Sequence, residues 1–418
     1  MKPPVQPDSA FPDPSAFQPL WDRGEAVDPG MICFTIGDDW LQDRELLPLE
    51  LRASRAHADG LRRAGLLEPE DHAALRRGLE VLEREHRAGR FQVGPGDEDV
   101  HSAVERGLRE RIGEAALRLH LGRSRNEQVQ TDLFLWMRER LSVLAALLEA
   151  MREAHAALAR RQGTLPLPGY THLRRAMPST LGDWSLAFAA AWEQDREDLE
   201  LAARRLRRCP LGSGAGYGVP LPLDRAGVAR DLGFEGPLEP VTAAQHGRGR
   251  AELAFLTVLE GAALDLEKLA VDLWLFSSAE FGFVELPAEW TTGSSLMPHK
   301  RNPDILELLR ARSRQVVSER GALLAAFQGL PSGYHRDFQL LKPPLFRAWR
   351  SLRDGLALAA RLLPALGWKE KVLRTVLEDP GLHATARLLE EARQGVPFRE
   401  AYRRHARSAS PDSSSRSG

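Results

Sequence analysis

Cysteine is nearly missing from this chain: Cys33 and Cys209 are the two in 418 residues. Two cysteines cannot build a disulfide framework, and their scarcity points to a reducing, cytoplasmic setting. An excess of charge of one sign is missing as well. Basic and acidic residues number 57 and 58, for a net charge of −1, which argues against a generic nucleic-acid or membrane-surface binder. No apolar run approaches the roughly 20 residues needed to span a bilayer. The Pro-rich, polar start from Met1 to Phe11 does not read as a signal peptide. There is no P-loop, no dinucleotide Gly fingerprint, no paired-cysteine zinc spacing and no His-Glu-x-x-His. The Gly-rich run from Gly212 to Gly216 follows no predicted strand and reads as a loop. With 43% apolar and 28% charged residues the chain is an ordinary globular sequence. Its length suits two to three domains.

Lysine is scarce in another sense. It occurs at positions 2, 268, 300, 342, 369 and 371, and all other basic residues are arginine. Where lysine does stand, the position selects an ammonium against the chain's own habit. β-Branched residues are few, whereas Leu, Ala, Arg and Glu are abundant, which is a helix-forming composition. An irregular arm is expected over residues 1–25. Helix follows from Leu46 to Gly89, with Pro69 near the start of one amphipathic run and Gly89 past its end. The stretch Asp97-Glu98-Asp99-Val100-His101 opens another helix, its acids suited to the positive end of the dipole.

Apolar spacing then predicts five long helices: Thr131 to Arg161, Ser179 to Arg208, Thr242 to Phe281, Pro303 to Leu330 and Leu345 to Leu366. The third would be roughly 60 Å long. Its apolar residues occupy two neighbouring faces, as in a helix buried on several sides. That suggests an all-α bundle completed by other subunits. No repeat period of an α-solenoid is visible. The expected division is an N-terminal helical domain over 1–121, a long-helix bundle over 122–366 and a small helical domain over 367–418. The Ser-rich tail from Ser408 onward is expected to be disordered.

Four segments look chemical. The first runs from Thr291 to Asp304 and contains Gly293, Ser294, Ser295, Lys300 and Asn302. It reads as a hydroxyl-rich loop feeding a helix, with Asn302 as N-cap and Pro303 at the first helical position. Such a start is a ready anion site, and a serine facing backbone N–H groups and an ammonium is activated. The bland alternative is a mobile helix-start loop. The second segment, Pro168 to Pro178, carries Thr171 and His172 on a turn between two long helices. A lone histidine is more often structural. The third is Gly122-Arg123-Ser124-Arg125-Asn126-Glu127-Gln128, an oxyanion-binding cluster or only a capping segment. The fourth, Gly333 to Gln339 followed by Lys342, suits a polar substrate or a solvated turn. Asp97, Glu98, Asp99 and His101 together have metal-ligand character, but a charged helix start is the simpler reading.

Together these segments resemble the fumarase/aspartase superfamily and, within it, the argininosuccinate lyase family. Gly293 to Pro298 with Lys300 and Asn302 is similar to the superfamily's signature loop. Gly122 to Asn126 with Gln128, Pro168 to Leu173, Asp97 to His101, Tyr334 with Arg336, Asp337, Gln339 and Lys342, and the ending Gly395 to Ala401 match the narrower family in order. The resemblance covers roughly residues 40 to 405. It implies an all-α, three-domain fold whose central five-helix bundle assembles into a 20-helix core in a homotetramer, with each active site shared between subunits. It implies cleavage of argininosuccinate to arginine and fumarate, with no metal or cofactor and neither nucleic acid nor membrane as partner. Ser294 would be the base. Lys300 and Asn302 would stabilise the aci-carboxylate. His172, paired with Glu307, would act on the leaving-group side. Ser124, Asn126 and Thr171 would hold the succinyl carboxylates, Arg125 beside them. Tyr334, Arg336, Gln339 and Lys342 would hold the arginine part, with Asp99 and His101 lining the same pocket.

The sequence also departs from that pattern. Glu127 stands where the family has Asp, and Arg174 and Met177 where it has Gln. An Asn-Ser-x-Asp-Ala-Val-Ser-Asp-Arg-Asp stretch is replaced by Val241 to Arg250, with Arg248 at the place of its arginine. His335 replaces an Asn, and Leu340 and Leu341 replace acids. The C-terminal domain looks shortened. The resemblance is therefore to a divergent, shortened branch. Two alternatives follow from it: a lyase of the superfamily acting on another N-substituted succinate, and a non-catalytic crystallin-like homologue.

Overall fold

The computed structural model describes residues 27–408. The expected arm over 1–25 and nearly all of the expected Ser-rich tail lie outside the described residues. The chain is all-α, with three very short sheets of two strands each among the described residues. Its five long helices are Arg125–Gln162, Leu181–Arg205, Arg250–Phe276, Asp304–Phe327 and Lys342–Leu362. Two compact units divide the chain. The first takes the described residues through Val143, Leu199–Val258 and Ser318–Trp349; the second takes Leu144–Asp198, Leu259–Val317 and the described residues from Arg350. Each long helix contributes residues to both units.

Unit 1 opens with helices Leu47–Arg63, Pro69–Arg87 and Val100–Ile112. Pro69 occupies the first turn of the second helix. Asp99 caps the third in a reciprocal box with Ser102, which fixes where that helix begins. The core centres on Trp136, fully buried, with its ring 4.8 Å from that of Phe346 and 5.8 Å from that of Phe255. Its indole N–H finds Glu45 at 3.1 Å, so the buried polar end is satisfied. In unit 2 the corresponding cluster is Trp184, Phe188, Phe276 and Trp368, joined edge to face, with Phe283 tilted against Phe276.

Two expectations needed correction. The run from Thr242 to Phe281 is not one helix. A single turn, Ala243–His246, is followed by Gly247 and Gly249, and the long helix starts at Arg250. Gly249 has φ +82°, and a Cβ there would meet the Phe327 ring at 2.5 Å, so neither helical dihedrals nor a side chain fit. The second concerns residues 166–180, which form a β-hairpin, Pro166–Thr171 with Arg174–Thr180. Two prolines face each other in it, Pro168 opposite Pro178, which a two-stranded ribbon tolerates because both strands are edges.

Candidate active site

Eight of the expected site residues converge on one cavity of about 180 Å³ in unit 1: Asp99, His101, Arg125, Asn126, Tyr334, Arg336, Gln339 and Lys342. Ser124 is half-buried beside them and is not among the lining residues. Helix starts deliver most of these groups. Asp99 and His101 open Val100–Ile112, Arg125 and Asn126 open Arg125–Gln162, and Lys342 opens Lys342–Leu362. Lys342 is 2% exposed. Its ammonium lies 2.7 Å from Asp39 and 2.5 Å from Asp43, two acids that sequence reasoning left out. Burial opposes its charge, but the two carboxylates win and raise its pKa. Burial in turn pushes the Asp39 carboxyl up to about 7, against the pull of Lys342.

A second clamp faces the first. Arg125 reaches Glu98 at 2.8 Å and Asp99 at 2.7 Å, and Arg336 reaches the other oxygen of Glu98 at 3.2 Å. Burial would raise Asp99, yet Arg125 and His101 hold it well below the usual carboxylate range. The Gln339 amide donates to the carbonyls of Thr35 and Ile36, at 3.2 and 3.0 Å, so its donors serve the wall rather than the cavity. Arg248 lines the cavity too, its guanidinium 4.9 Å over the Phe338 ring and donating to the Asn126 carbonyl at 3.3 Å. Glu127 accepts the N–H of Ser124 at 3.2 Å and of Gly214 at 2.6 Å. That ties the Gly-rich run to the start of the helix.

Unit 2 holds the rest. The signature loop is pinched shut by a bridge in which the Thr292 and Asn302 backbones exchange N–H···O bonds of 3.1 and 2.8 Å. The Ser294 hydroxyl oxygen accepts the N–H of Met297 at 3.1 Å and of Leu296 at 3.4 Å. Two backbone donors on one hydroxyl oxygen favour its ionised form. The helix begins at Asp304, later than the expected cap implies. The Asn302 amide instead turns back to the Gly293 carbonyl at 3.3 Å. Lys300 is exposed, as is Leu296 at 85%.

His172 sits at the tip of the hairpin beside Thr171, and both are exposed. His172 and Leu173 have φ +54° and +56°, the left-handed values that a two-residue hairpin turn demands at both central positions. Neither is glycine or asparagine, so the turn carries strain of about 1 kcal/mol or more per residue. Arg175, two positions on, is anchored to Asp379 at 3.2 Å. Among the described residues His172 and Glu307 make no ion pair, and Glu307 is exposed. A second cavity in unit 2, about 350 Å³, is walled chiefly by apolar groups such as Leu167, Tyr170, Trp184, Phe276 and Phe281, and lacks cations to meet a dicarboxylate.

Among the described residues, Glu50, His101 and Asp132 bring possible metal-ligand atoms within 4.8 Å of one another. The Arg123 guanidinium, 3.4 Å from Glu50, already supplies positive charge there and disfavours a cation.

Comparison with known proteins identifies the family. A family model described as lyase matches residues 31–318. The argininosuccinate lyase of Sorangium cellulosum is 45% identical over 389 residues, 93% of this chain and 90% of that one. That of Stenotrophomonas maltophilia is 44% identical over 395 residues, with the same coverage of both chains. Among solved structures, EDDS lyase in complex with formate superposes with a TM-score of 0.75 at 24% identity, covering 87% of this chain and 71% of that one. A fumarate lyase:delta crystallin from Brucella melitensis superposes with a TM-score of 0.73 at 22% identity, covering 88% and 86%. Those two establish the fold. The family match and the identities above 40% place the chain in the lyase family of the fumarase/aspartase superfamily, among the argininosuccinate lyases.

Proposed function

We propose that the chain eliminates fumarate from argininosuccinate and releases arginine, a carbon–nitrogen lyase step in arginine biosynthesis. The observation that carries this reading is the 45% identity, over 93% of the chain, with a curated argininosuccinate lyase. The chemistry asks for a base at the succinyl Cβ, donors for the charge that develops on the adjacent carboxylate, and a proton for the departing nitrogen. Ser294 removes the Cβ proton, its oxyanion supported by the N–H groups of Leu296 and Met297. The electron pair passes into the neighbouring carboxylate as an aci-form, which Lys300 and Asn302 stabilise. That pair then forms the double bond of fumarate while the Cα–N bond breaks. His172, its ring held by Glu307, supplies the proton to nitrogen directly or through water. Thr171, Ser124 and Asn126 bind the succinyl carboxylates.

The unit 1 cavity takes the amino-acid end of the arginine part. Lys342 between Asp39 and Asp43 offers one cation and two anions to a zwitterion, with Tyr334 and Arg336 on the same wall. We place the enzyme in the cytoplasm as a homotetramer with shared active sites. Three features support the assembly. The His172–Glu307 pair is not closed within one chain, the Ser294 loop is exposed, and leucines on the long helices, Leu186, Leu201, Leu264 and Leu308, are each more than 50% exposed.

The test is absorbance at 240 nm with argininosuccinate and no added metal. Growth of the fumarate signal with an equal yield of arginine supports reaction and substrate together. No signal with argininosuccinate, but signal with another N-succinyl compound, would move the amine and keep the elimination. No signal with any of them, although fumarate still raises Tm, would favour a non-catalytic homologue.

A further inference from the structure

Three buried side chains from three helices, one of them His101, meet in unit 1. Glu50, His101 and Asp132 are 1%, 6% and 0% exposed. Glu50 stands 3.1 Å from His101 Nδ1 through one carboxylate oxygen. Its other oxygen accepts from Ser54 at 2.6 Å and Gln128 at 3.2 Å, with Arg123 at 3.4 Å. Asp132 lies within 4.8 Å of both partners, yet neither of its oxygens has a hydrogen-bond donor. Two carboxyls in one dry site do not both ionise. The charge settles where donors support it, on Glu50, and the proton stays on Asp132, where none do. Nδ1 of His101 faces both the Glu50 carboxylate at 3.1 Å and the Gln128 amide nitrogen at 3.3 Å, and the carboxylate, as the only anion of the two, draws the Nδ1 proton. Nε2 of His101 is buried without a partner, while the residue lines the cavity.

We propose that Glu50 and Asp132 are positioning residues: they share one proton, fix the His101 Nδ1–H on the Glu50 carboxylate, and leave the Nε2–H as a pre-set donor to an anionic oxygen of the cavity's ligand. The identity of that ligand, a polycarboxylate, rests on the lyase reading; the charge state of the triad does not. The titratable and charged groups around His101 are Glu50, Asp43, Asp99 at its own helix start, Glu105 on the same helix, Arg123, Arg125, and His120, which burial and Arg123 push down to about 4. Burial works against a charged imidazole, but Glu50 and Asp99 outweigh it and raise the His101 pKa. Burial raises Asp132 well above the usual range, with Glu50 and Asp43 adding to it.

The test is a histidine titration by NMR on the full-length chain labelled at His Cε1. One of the 12 histidines is assigned to His101 by its loss in His101→Asn. The wild-type His101 signal is expected to remain that of imidazolium above pH 6.5. Asp132→Asn, which mimics the protonated carboxyl, should leave the midpoint in place. Glu50→Gln should lower it by at least about one pH unit, because burial and Arg123 remain while the carboxylate is gone. A wild-type His101 already neutral at pH 6 would overturn the proposal. So would an Asp132→Asn midpoint as low as that of Glu50→Gln, since Asp132 would then carry the charge. If Glu50→Gln does not fold, the wild-type and Asp132→Asn titrations decide alone. Cobalt(II) is the control: broadening of the His101 signal that Asp132→Asn abolishes would make the cluster a metal site instead. The expected titrations in a chain that releases no fumarate would sink the lyase reading and leave this one standing.

Discussion

The two units treat their functional groups in opposite ways. In unit 1 each lysine or arginine at the cavity already faces an anion: Lys342 with Asp39 and Asp43, Arg125 with Glu98 and Asp99, Arg336 with Glu98, Arg248 with Glu252. All but the exposed Arg336 are at least half-buried, and their ion pairs form within one chain. In unit 2 the groups we assign to bond-breaking are at the surface. Lys300, His172 and Glu307 are exposed and form no ion pair among the described residues. Binding and chemistry make different demands. A recognition pocket is preorganised by satisfying its charges before the ligand arrives. A base and an acid must stay uncommitted until substrate is in place, and on the proposed reading a neighbouring subunit completes them. Mutations should therefore separate the units cleanly, by activity in unit 2 and by stability in unit 1.

Ser294→Ala is expected to give the largest effect. It removes the proposed base from a loop whose hydroxyl only accepts two backbone N–H groups. Fumarate release should fall by about 10³-fold, with Tm unchanged. Full activity would dismiss Ser294 as the base, and a fall in Tm matching the loss of activity would erase the contrast between units.

The two lysines, each set against a chain that prefers arginine, sharpen the same contrast. Lys342→Met strands Asp39 and Asp43 in a buried site and should destabilise the fold by about 3–5 kcal/mol, read by urea denaturation. Lys300→Met touches an exposed side chain. Its stability cost should stay within about 0.5 kcal/mol, while kcat falls by roughly 10²-fold or more. Equal stability losses in the two variants would show that Lys300 is buried in the assembled protein.

How far these roles are legible from sequence follows the range of the contacts involved. Asp99 was readable as a helix-start acid because its cap partner, Ser102, is three residues away. The signature loop and the Ser124 to Asn126 cluster are contiguous and show themselves directly. Asp39 and Asp43 did not, because an acid at a short helix start is commonplace. Their purpose depends on Lys342, which stands 299 residues beyond Asp43. Gly249 misled for a related reason: one glycine inside an apolar period looks tolerable until Phe327 is seen to occupy the space of its missing side chain. The hairpin was hidden by its own prolines, which argue for a loop unless both strands are known to be edges.

The smallest expected effect sets one carboxyl of each unit against the other by pH. Burial pushes Glu50 in unit 1 up, but His101 and Arg123 outweigh it and hold the folded carboxyl at about 2, against an ordinary 4.5. Stability from such a group is whole above pH 4.5 and drains away as the pH falls toward 2. Asp195 in unit 2 behaves the other way. It is 7% exposed, one of its oxygens has no hydrogen-bond partner, and burial, with Asp265 and Asp198 nearby, raises it from 3.8 to about 7. A carboxyl raised on folding contributes fully below pH 3.8, and that contribution is lost as the pH climbs through 7. Asp195→Asn removes the ionisation and keeps the shape. The variant should match the wild type at pH 4 and exceed it by roughly 2 kcal/mol at pH 8, read from urea midpoints at the two values. A difference that stays flat with pH would mean that a cation meets Asp195 in the assembled protein. The burial that sets Asp195 apart from Glu50 would then belong to the single chain only.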